Sequence, residues 1–526
     1  MPPPQGGVES LSQKVARNTA YSALGYAVSV LALIFLTPYI IHQLGASLYG
    51  IWILVTVVTG YAGLTDLGIG TSLQKFVAEH DAKNDPDTIN GFLSSGIAFY
   101  VLVGVLLLGV STFVVNPLLR LFDIGPQVFS DARTVFFISL GNLIILNVSS
   151  VFGAVLNGLQ YIDLAKRIEM GMTVARVGLY VLVLSYGYGI VGVVLAETSI
   201  QVLGCSAQYF YARKMFPRIR IRPWRLKRDI IRRLVGFGGR LQVSRVSEMI
   251  NLQFDRIVTS KFVGIEFVVF ADVGGRLLGR LRVLPLVLLS SVLPAVSQLQ
   301  ALRQEERIRL AFERSTKYLV CTAVPLFVFI AVYAHAVIRV WFDSAFELAA
   351  WTLQILALGY LLNVLTGTFA YFAQGLGDVR PQMKAALLQA CLNIVLSIVL
   401  AIQIGYFGIM AASSFSLIVG AIYFGQAFDR ILPGSLTKIV RIAGYPVVAS
   451  LGATAVSALP WFAAGFTLHS RGMDIGLLVL SGALFAVSYA ILLRQGGFFD
   501  RWDADFLERI SPKYGVLRKF ILTKNL

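Results

Sequence analysis

Ionisable side chains set inside apolar stretches are the first chemistry this sequence offers. Between residues 241 and 260 stand Arg245, Glu248, Asn251, Asp255 and Arg256, with Ser244 beside them. At 100° per residue, a helix gathers them within about 140° of arc. Further on, Asp272, Arg276 and Arg280 recur at i, i+4 and i+8, one stripe of a second helix, with Arg282 close by. Gly275 and Gly279 leave room there for a backbone or a large ligand to approach. A charge in a hydrocarbon setting costs about 2.5–3.5 kcal/mol on insertion scales, so such groups face a cavity or a partner. Guanidinium stays charged and offers a planar fork of donors to phosphate oxygens. Arg245, Arg256, Arg276, Arg280 and Arg282 are therefore the candidates for holding an anionic head group. Local pairing is the competing role: Asp272 with Arg276, Glu248 with Arg245, Asp255 with Arg256 or a neighbouring helix.

Acids in such stretches can bind a cation or exchange a proton as the molecule changes state, which makes Asp66, Glu248, Asp255 and Asp272 the coupling candidates. Asp66 lies within GLTDLGIG at 63–70. Its competing roles are partner to Arg176 or cap to a helix broken at the glycines. Glu197 is a similar acid with less context.

Enzymatic motifs are absent. The four histidines, His42, His80, His335 and His469, are scattered, and Cys205, Cys321 and Cys391 lie in apolar runs that suggest neither a disulfide framework nor a metal site. No DxD segment, metal-spaced histidine pair, nucleophile elbow or phosphate-binding glycine loop appears outside the apolar runs. The sequence predicts no cofactor, no metal and no catalysed reaction.

The elements that must position these groups follow from composition. Of 526 residues, 56% are hydrophobic and 14% charged, far from the soluble balance. A membrane helix needs roughly 20 mostly apolar residues, and about fourteen such runs are found. They include 18–41 and 50–73 as the first two, 241–260 and 266–297 as the seventh and eighth, and 350–373 as the tenth. The expected layout is a cytoplasmic segment (1–17), an N-lobe of six helices (18–211), a basic connector (212–240), a C-lobe of six (241–428), two further helices (429–493) and a cytoplasmic amphipathic tail (494–526).

In a soluble chain the net charge of +17 would suggest nucleic acid. Here alternate loops hold 34 Lys and Arg on one side against 5 on the other, the asymmetry that keeps cationic loops in the cytoplasm. Both termini are therefore placed inside, the cations against anionic lipids, and no nucleic-acid partner is needed. The densest basic run, 212–233, reads as a solvated connector at the interface.

An internal repeat is visible. Leu44-Gly45 with Tyr49 is echoed by Val263-Gly264 with Phe267 at an offset of 219, and Asn157-Gly158-Leu159 by Gln374-Gly375-Leu376 at 217. In that register Arg176 aligns with Asn393. Two copies of a six-helix unit enter from the same side, so a pseudo-two-fold along the membrane normal relates the lobes, facing one another across a cavity.

LGASLYGIWILVTVVTGYAGLTDLGIGTSLQKFVAEH at 44–80 resembles the opening of bacterial polysaccharide-biosynthesis flippases, the Wzx-like group. NGLQYIDLAKR at 157–167, NLQFDRIVTSKFVGIEFVV at 251–269 and FAQGLGDVRPQMKAA at 372–386 resemble it too. The resemblance implies the multidrug/oligosaccharidyl-lipid/polysaccharide exporter superfamily, with two six-helix bundles and often two added helices. The first span departs from the arginine-rich, Asp-containing opening associated with the peptidoglycan-precursor branch.

The resemblance and the arginines together imply an all-α polytopic transporter of the cytoplasmic (inner) membrane. It would flip a polyprenyl-pyrophosphate-linked oligosaccharide by alternating access, with proton or sodium coupling and other polysaccharide-assembly proteins as further partners. An ion-coupled drug antiporter and a peptidoglycan-precursor flippase are the alternatives. Five arginines against Glu248, Asp255 and Asp272 in the seventh and eighth spans favour an anionic cargo over a cationic drug. Amides such as Asn142, Asn147, Asn157, Asn363, Gln374, Gln389 and Asn393 could meet sugar hydroxyls, although interhelical bonding, worth about 0.6 kcal/mol each, is their commoner use.

Overall fold

The computed structural model describes residues 11–159, 161–222, 228–289, 292–342, 344–465, 470–500 and 503. Among them all regular secondary structure is helical, as hydrocarbon requires of runs that must satisfy their own backbone. The chain divides into two compact units, the first comprising Met1–Met249 with Thr259–Val269, the second Ile250–Val258 with Phe270–Leu526.

The first unit runs through α1 (Leu11–Ala62), α2 (Ile69–Ala82), α3 (Pro86–Leu121), α4 (Pro126–Gly158), α5 (Ile162–Ser185), α6 (Gly189–Met215) and most of α7 (Arg228–Phe262). The expected first two spans both lie in α1, two helices kinked at Gly45, whose φ of 75° and ψ of 166° are non-helical. A second break follows. A single 3-10 turn, Gly63–Asp66, followed by Leu67 at φ 50°, separates α1 from α2. α3 begins where the Asp85 side chain accepts the Thr88 N–H at 3.1 Å and Pro86 occupies a position that needs no N–H. Those bonds hold the Asp85 carboxyl below its ordinary range.

The core of this unit joins Leu73 and Val77 of α2, Phe92 and Tyr100 of α3, and Val151 and Val155 of α4. The Phe76 and Phe92 rings stack at 4.6 Å. The segment after α6 is pinned to α3. Asn90 donates to the Arg218 carbonyl and accepts the Arg220 N–H, and Ser94 accepts the Arg222 N–H. Ile219 and Ile221 thereby pack inward while Arg218, Arg220 and Arg222 are exposed.

The second unit continues with α8 (Val268–Val287), α9 (Val292–Ala301), α10 (Glu305–Val332), α11 (Ala334–Trp341), α12 (Glu347–Leu365), α13 (Gly367–Leu376), α14 (Arg380–Ile404), α15 (Tyr406–Asp429), α16 (Ser435–Ser457), α17 (Leu459–Ala464) and α18 (Arg471–Gln495). The over-long eighth run is thus split between α8 and α9, and the tenth between α12 and α13. α15 packs along α12 and α14, and α16 along α10 and α18. Phe312 of α10 lies 5.2 Å from Phe372 and 5.9 Å from both Phe369 and Phe428.

Past α18 the chain returns to α10. Asp503 is buried, accepts the Tyr318 hydroxyl at 2.6 Å and pairs with Lys317, and Asp500 pairs with Arg314. Burial pulls the Asp500 carboxyl upward, but the Arg314 hydrogen bond and the Lys317 charge outweigh it and hold it below the usual range. The rest of the tail, 504–526, where an interfacial helix was expected, lies outside the described residues.

Among the described residues eleven helical stretches are long and apolar enough to cross a membrane, the first of them the 58-residue Leu24–Asp81. Eleven stands where about fourteen was expected. The first two runs are counted as one, and α7 and α8, which carry the seventh and eighth, are not among the eleven because of their charges. Exposed side chains such as Phe113 (82%) and Ile402 (70%) suit hydrocarbon rather than water.

The repeat is borne out in backbone geometry and in helix contacts. Gly264 also takes a positive φ, 141°. A Cβ on Gly158 would come within 2.9 Å of Val77 and 3.0 Å of the Gln74 carbonyl, and one on Gly375 within 2.7 Å of Val296 and 3.4 Å of the Leu293 carbonyl. Val77 and Val296, like Gln74 and Leu293, are 219 residues apart. The α2–α4 contact of the first unit is therefore the α9–α13 contact of the second.

Candidate functional site

In the second unit the predicted charges gather around Asp272, whose side chain is 1% exposed. It accepts the Nε of Arg256, on α7, at 2.9 Å, and the Nε of Arg276, one turn along α8, at 2.8 Å. The expected Asp272–Arg276 pair forms. Asp255 does not pair with Arg256, which crosses to α8, and instead bonds to a neighbouring helix, the other partner expected for it. One carboxylate thus receives two guanidiniums, and the Arg276 side chain remains 34% exposed. Arg280 is exposed and Arg282 half-buried on the same helix. Arg245 and Glu248 belong to α7, but their side chains lie outside the described residues.

Asp255 turns the other way. It accepts the Ser413 hydroxyl of α15, which in turn accepts the Asn393 Nδ2 of α14 at 2.8 Å. Asn393 is 1% exposed. A carboxylate, a hydroxyl and an amide here form an oxygen-rich set to which a small cation or a proton could bind. Among the described residues no group of three or more His, Cys, Asp or Glu side chains is arranged to hold a metal.

In the first unit Asp66 accepts the Tyr100 hydroxyl and, at 3.4 Å, the Gly70 N–H. It does cap the broken helix. It does not partner Arg176, which forms two parallel bonds to Glu197, Nε to Oε2 at 2.8 Å and an Nη to Oε1 at 2.9 Å. Tyr180 and Gln201 donate to the same carboxylate. Asp66 borders a cavity of about 680 Å³ that also touches Gln74, Asn147, Asn157 and Gln208.

The sequence reading missed the Glu197 network, the Tyr100–Asp66 bond and the Asp503 clasp. One signal could have found the first. Arg176 and Glu197 stand nearly equidistant from the Gly187 turn between α5 and α6, so an antiparallel pair brings them level. Nothing local marks Tyr100 or Asp503 as partners of distant residues.

Known proteins bear on this architecture. The profile of the polysaccharide biosynthesis protein family matches residues 15–300, and that of the MatE family residues 243–399. A relative from Shigella flexneri named "Putative O-antigen transporter" is 21% identical over 356 residues, 67% of this chain and 82% of the relative. The "Probable low-salt glycan biosynthesis flippase Agl15" of Haloferax volcanii is 24% identical over 133 residues, 25% of this chain and 28% of that one. Among solved structures, the lipid II flippase MurJ in an inward closed conformation shares the fold at a TM-score of 0.71 and 15% identity, over 91% of this chain and 99% of that chain. An inward-facing multidrug resistance MATE family transporter does so at 0.64 and 16%, over 79% and 95%. With its first family profile spanning more than half the chain, this multi-pass membrane protein belongs to the polysaccharide biosynthesis protein family.

Proposed function

We propose that the protein flips a polyprenyl-pyrophosphate-linked oligosaccharide from the inner to the outer leaflet of the cytoplasmic membrane by alternating access, with both termini cytoplasmic and no chemical change to the cargo. The observation that carries this reading is Asp272 shared by Arg256 and Arg276. Two guanidiniums converge on one carboxylate inside a membrane protein, a concentration of cationic donors whose planar geometry suits phosphate oxygens. The names of the Shigella and Haloferax relatives support the same cargo class. Arg276, Arg280 and Arg282 would meet the pyrophosphate, with Arg256 holding Asp272 in place and Arg245 as a further contact.

The test is export in cells. Arg276→Ala and Arg280→Ala should each abolish surface polysaccharide while the protein stays in the membrane. Unchanged polysaccharide in both would overturn the head-group role.

Coupling to a proton or a sodium ion is the second part of the reading, favoured by the Asp255–Ser413–Asn393 set. Asp66, Glu248 and Asp272 are the other candidates. Asp255→Asn should remove any dependence of transport on the ion gradient while leaving cargo binding intact. Membrane lipids and other polysaccharide-assembly proteins would be its partners.

A further inference from the structure

The first unit holds a cavity whose described lining includes none of the arginines proposed for the pyrophosphate. About 680 Å³ in volume, it lies within the range of small-molecule pockets. One wall is the Gly63–Gly70 interruption between α1 and α2. Non-helical backbone inside a membrane protein is tolerated where it is buried in protein or lines a hydrated space, and Leu67 holds a left-handed φ of 50° to make this turn, a conformation disfavoured by about 1–2 kcal/mol for such a residue.

The chemistry of the lining narrows the ligand. Among the described residues no Lys or Arg borders the cavity, a lining unlike that of a phosphate site. Asp66 is the one carboxylate among them, already engaged by Tyr100. The remaining polar groups are uncharged. Gln74, Asn147 and Asn157 contribute side-chain amides that form no hydrogen bond to the described residues, and Gln208 accepts from Ser149 and keeps its N–H donors. Unspent amides are costly in a low-dielectric interior, and interhelical bonding, the ordinary use of such side chains, does not account for these. An amide presents a donor beside an acceptor, the pattern that neighbouring hydroxyls on a sugar ring satisfy. Leu64, Leu143, Leu146 and Met249 add apolar walls for the C–H faces of such a ring.

We infer that this cavity is a binding site for the uncharged, hydroxyl-rich saccharide part of the cargo, separate from the arginine cluster that would take its pyrophosphate. The assignment rests on the flippase reading only for the source of the sugar. The site itself stands on the lining.

The full-length protein, purified in detergent, tests this with the oligosaccharide released from the host's lipid carrier by mild acid and freed of phosphate. Binding is followed by ligand-observed NMR or calorimetry. The wild type should bind this probe, and Asn147→Leu should weaken it by about tenfold, as the loss of one or two hydrogen bonds implies. Leu146→Trp, which fills the space and deletes no hydrogen bond, should weaken it as much, whereas Arg276→Ala should leave it unchanged. No binding by the wild type, or equal binding by the wild type and both cavity variants, would overturn the site. Binding lost in Arg276→Ala as well would also overturn it as a separate site. The same preparations in proteoliposomes separate the two claims, because sugar binding with no movement of the lipid-linked form would sink the flippase reading and uphold the cavity.

Discussion

The Arg256 Nε donates to Asp272 at 2.9 Å, with the two side chains 10% and 1% exposed. Removing one partner of such a buried pair leaves the other uncompensated and costs about 3–5 kcal/mol. Asp272→Ala, which removes the acceptor shared by Arg256 and Arg276, should therefore lower the thermal unfolding midpoint sharply in detergent. The double variant Asp272→Leu with Arg256→Met should recover most of the loss. A double variant no better than Asp272→Ala would show that the pair does not hold the α7–α8 contact.

The Glu197 carboxylate receives Arg176, Tyr180 and Gln201. Glu197→Gln keeps the size but removes the charge that the bidentate guanidinium requires. It should destabilise by about 2 kcal/mol or more, within the range for truncating a partly buried charge pair. A double-mutant cycle with Arg176→Met measures the coupling, and a value near zero would assign the stability to Tyr180 and Gln201 instead.

Glycine contacts in the two units make an asymmetric prediction. Gly158→Ala and Gly375→Ala should each cost about 1–3 kcal/mol by overpacking. Val296→Gly, which removes both the Cγ1 at 2.7 Å and the Cβ at 2.8 Å, should relieve Gly375→Ala almost fully relative to Val296→Gly alone, since the Leu293 carbonyl would sit at an ordinary 3.4 Å. Val77→Gly should relieve Gly158→Ala only in part, because the Gln74 carbonyl, at 3.0 Å, is backbone and cannot be trimmed. Unfolding midpoints of the four single and two double variants decide it.

The clasp between residues 500–503 and α10 should depend on pH. Because the folded-state pKa of Asp500 is depressed by Arg314 and Lys317 despite partial burial, its contribution is present above the unfolded value near 3.9 and is lost as pH falls through the lower folded value. Amide exchange at Phe498 and Phe499 should accelerate in that acid window. Asp500→Asn should exchange faster already at neutral pH and lose the acid-dependent step. An unchanged acid profile in that variant would place the dependence elsewhere.

The fold was legible because hydrocarbon imposes one rule on every span, and both length and charge asymmetry report it. The glycines that register the repeat were legible too, since their neighbours recur at almost one offset. Charges on α7 and α8 could be grouped by helical angle, yet their partners could not be read. Arg256 chooses Asp272 on the next helix over Asp255 at its side, a choice set by packing. Asp66 depends on Tyr100, and Lys317 on Asp503, across separations that no local pattern encodes.

Where the first unit sets Arg176 against Glu197, the aligned α14–α15 contact of the second sets Asn393 against Ser413. The glycine–valine seam occurs in both. The two halves thus repeat one backbone geometry with different chemistry at the matched position: a locked ion pair in one, and in the other an uncharged bridge with Asp255 as the acid of its surroundings.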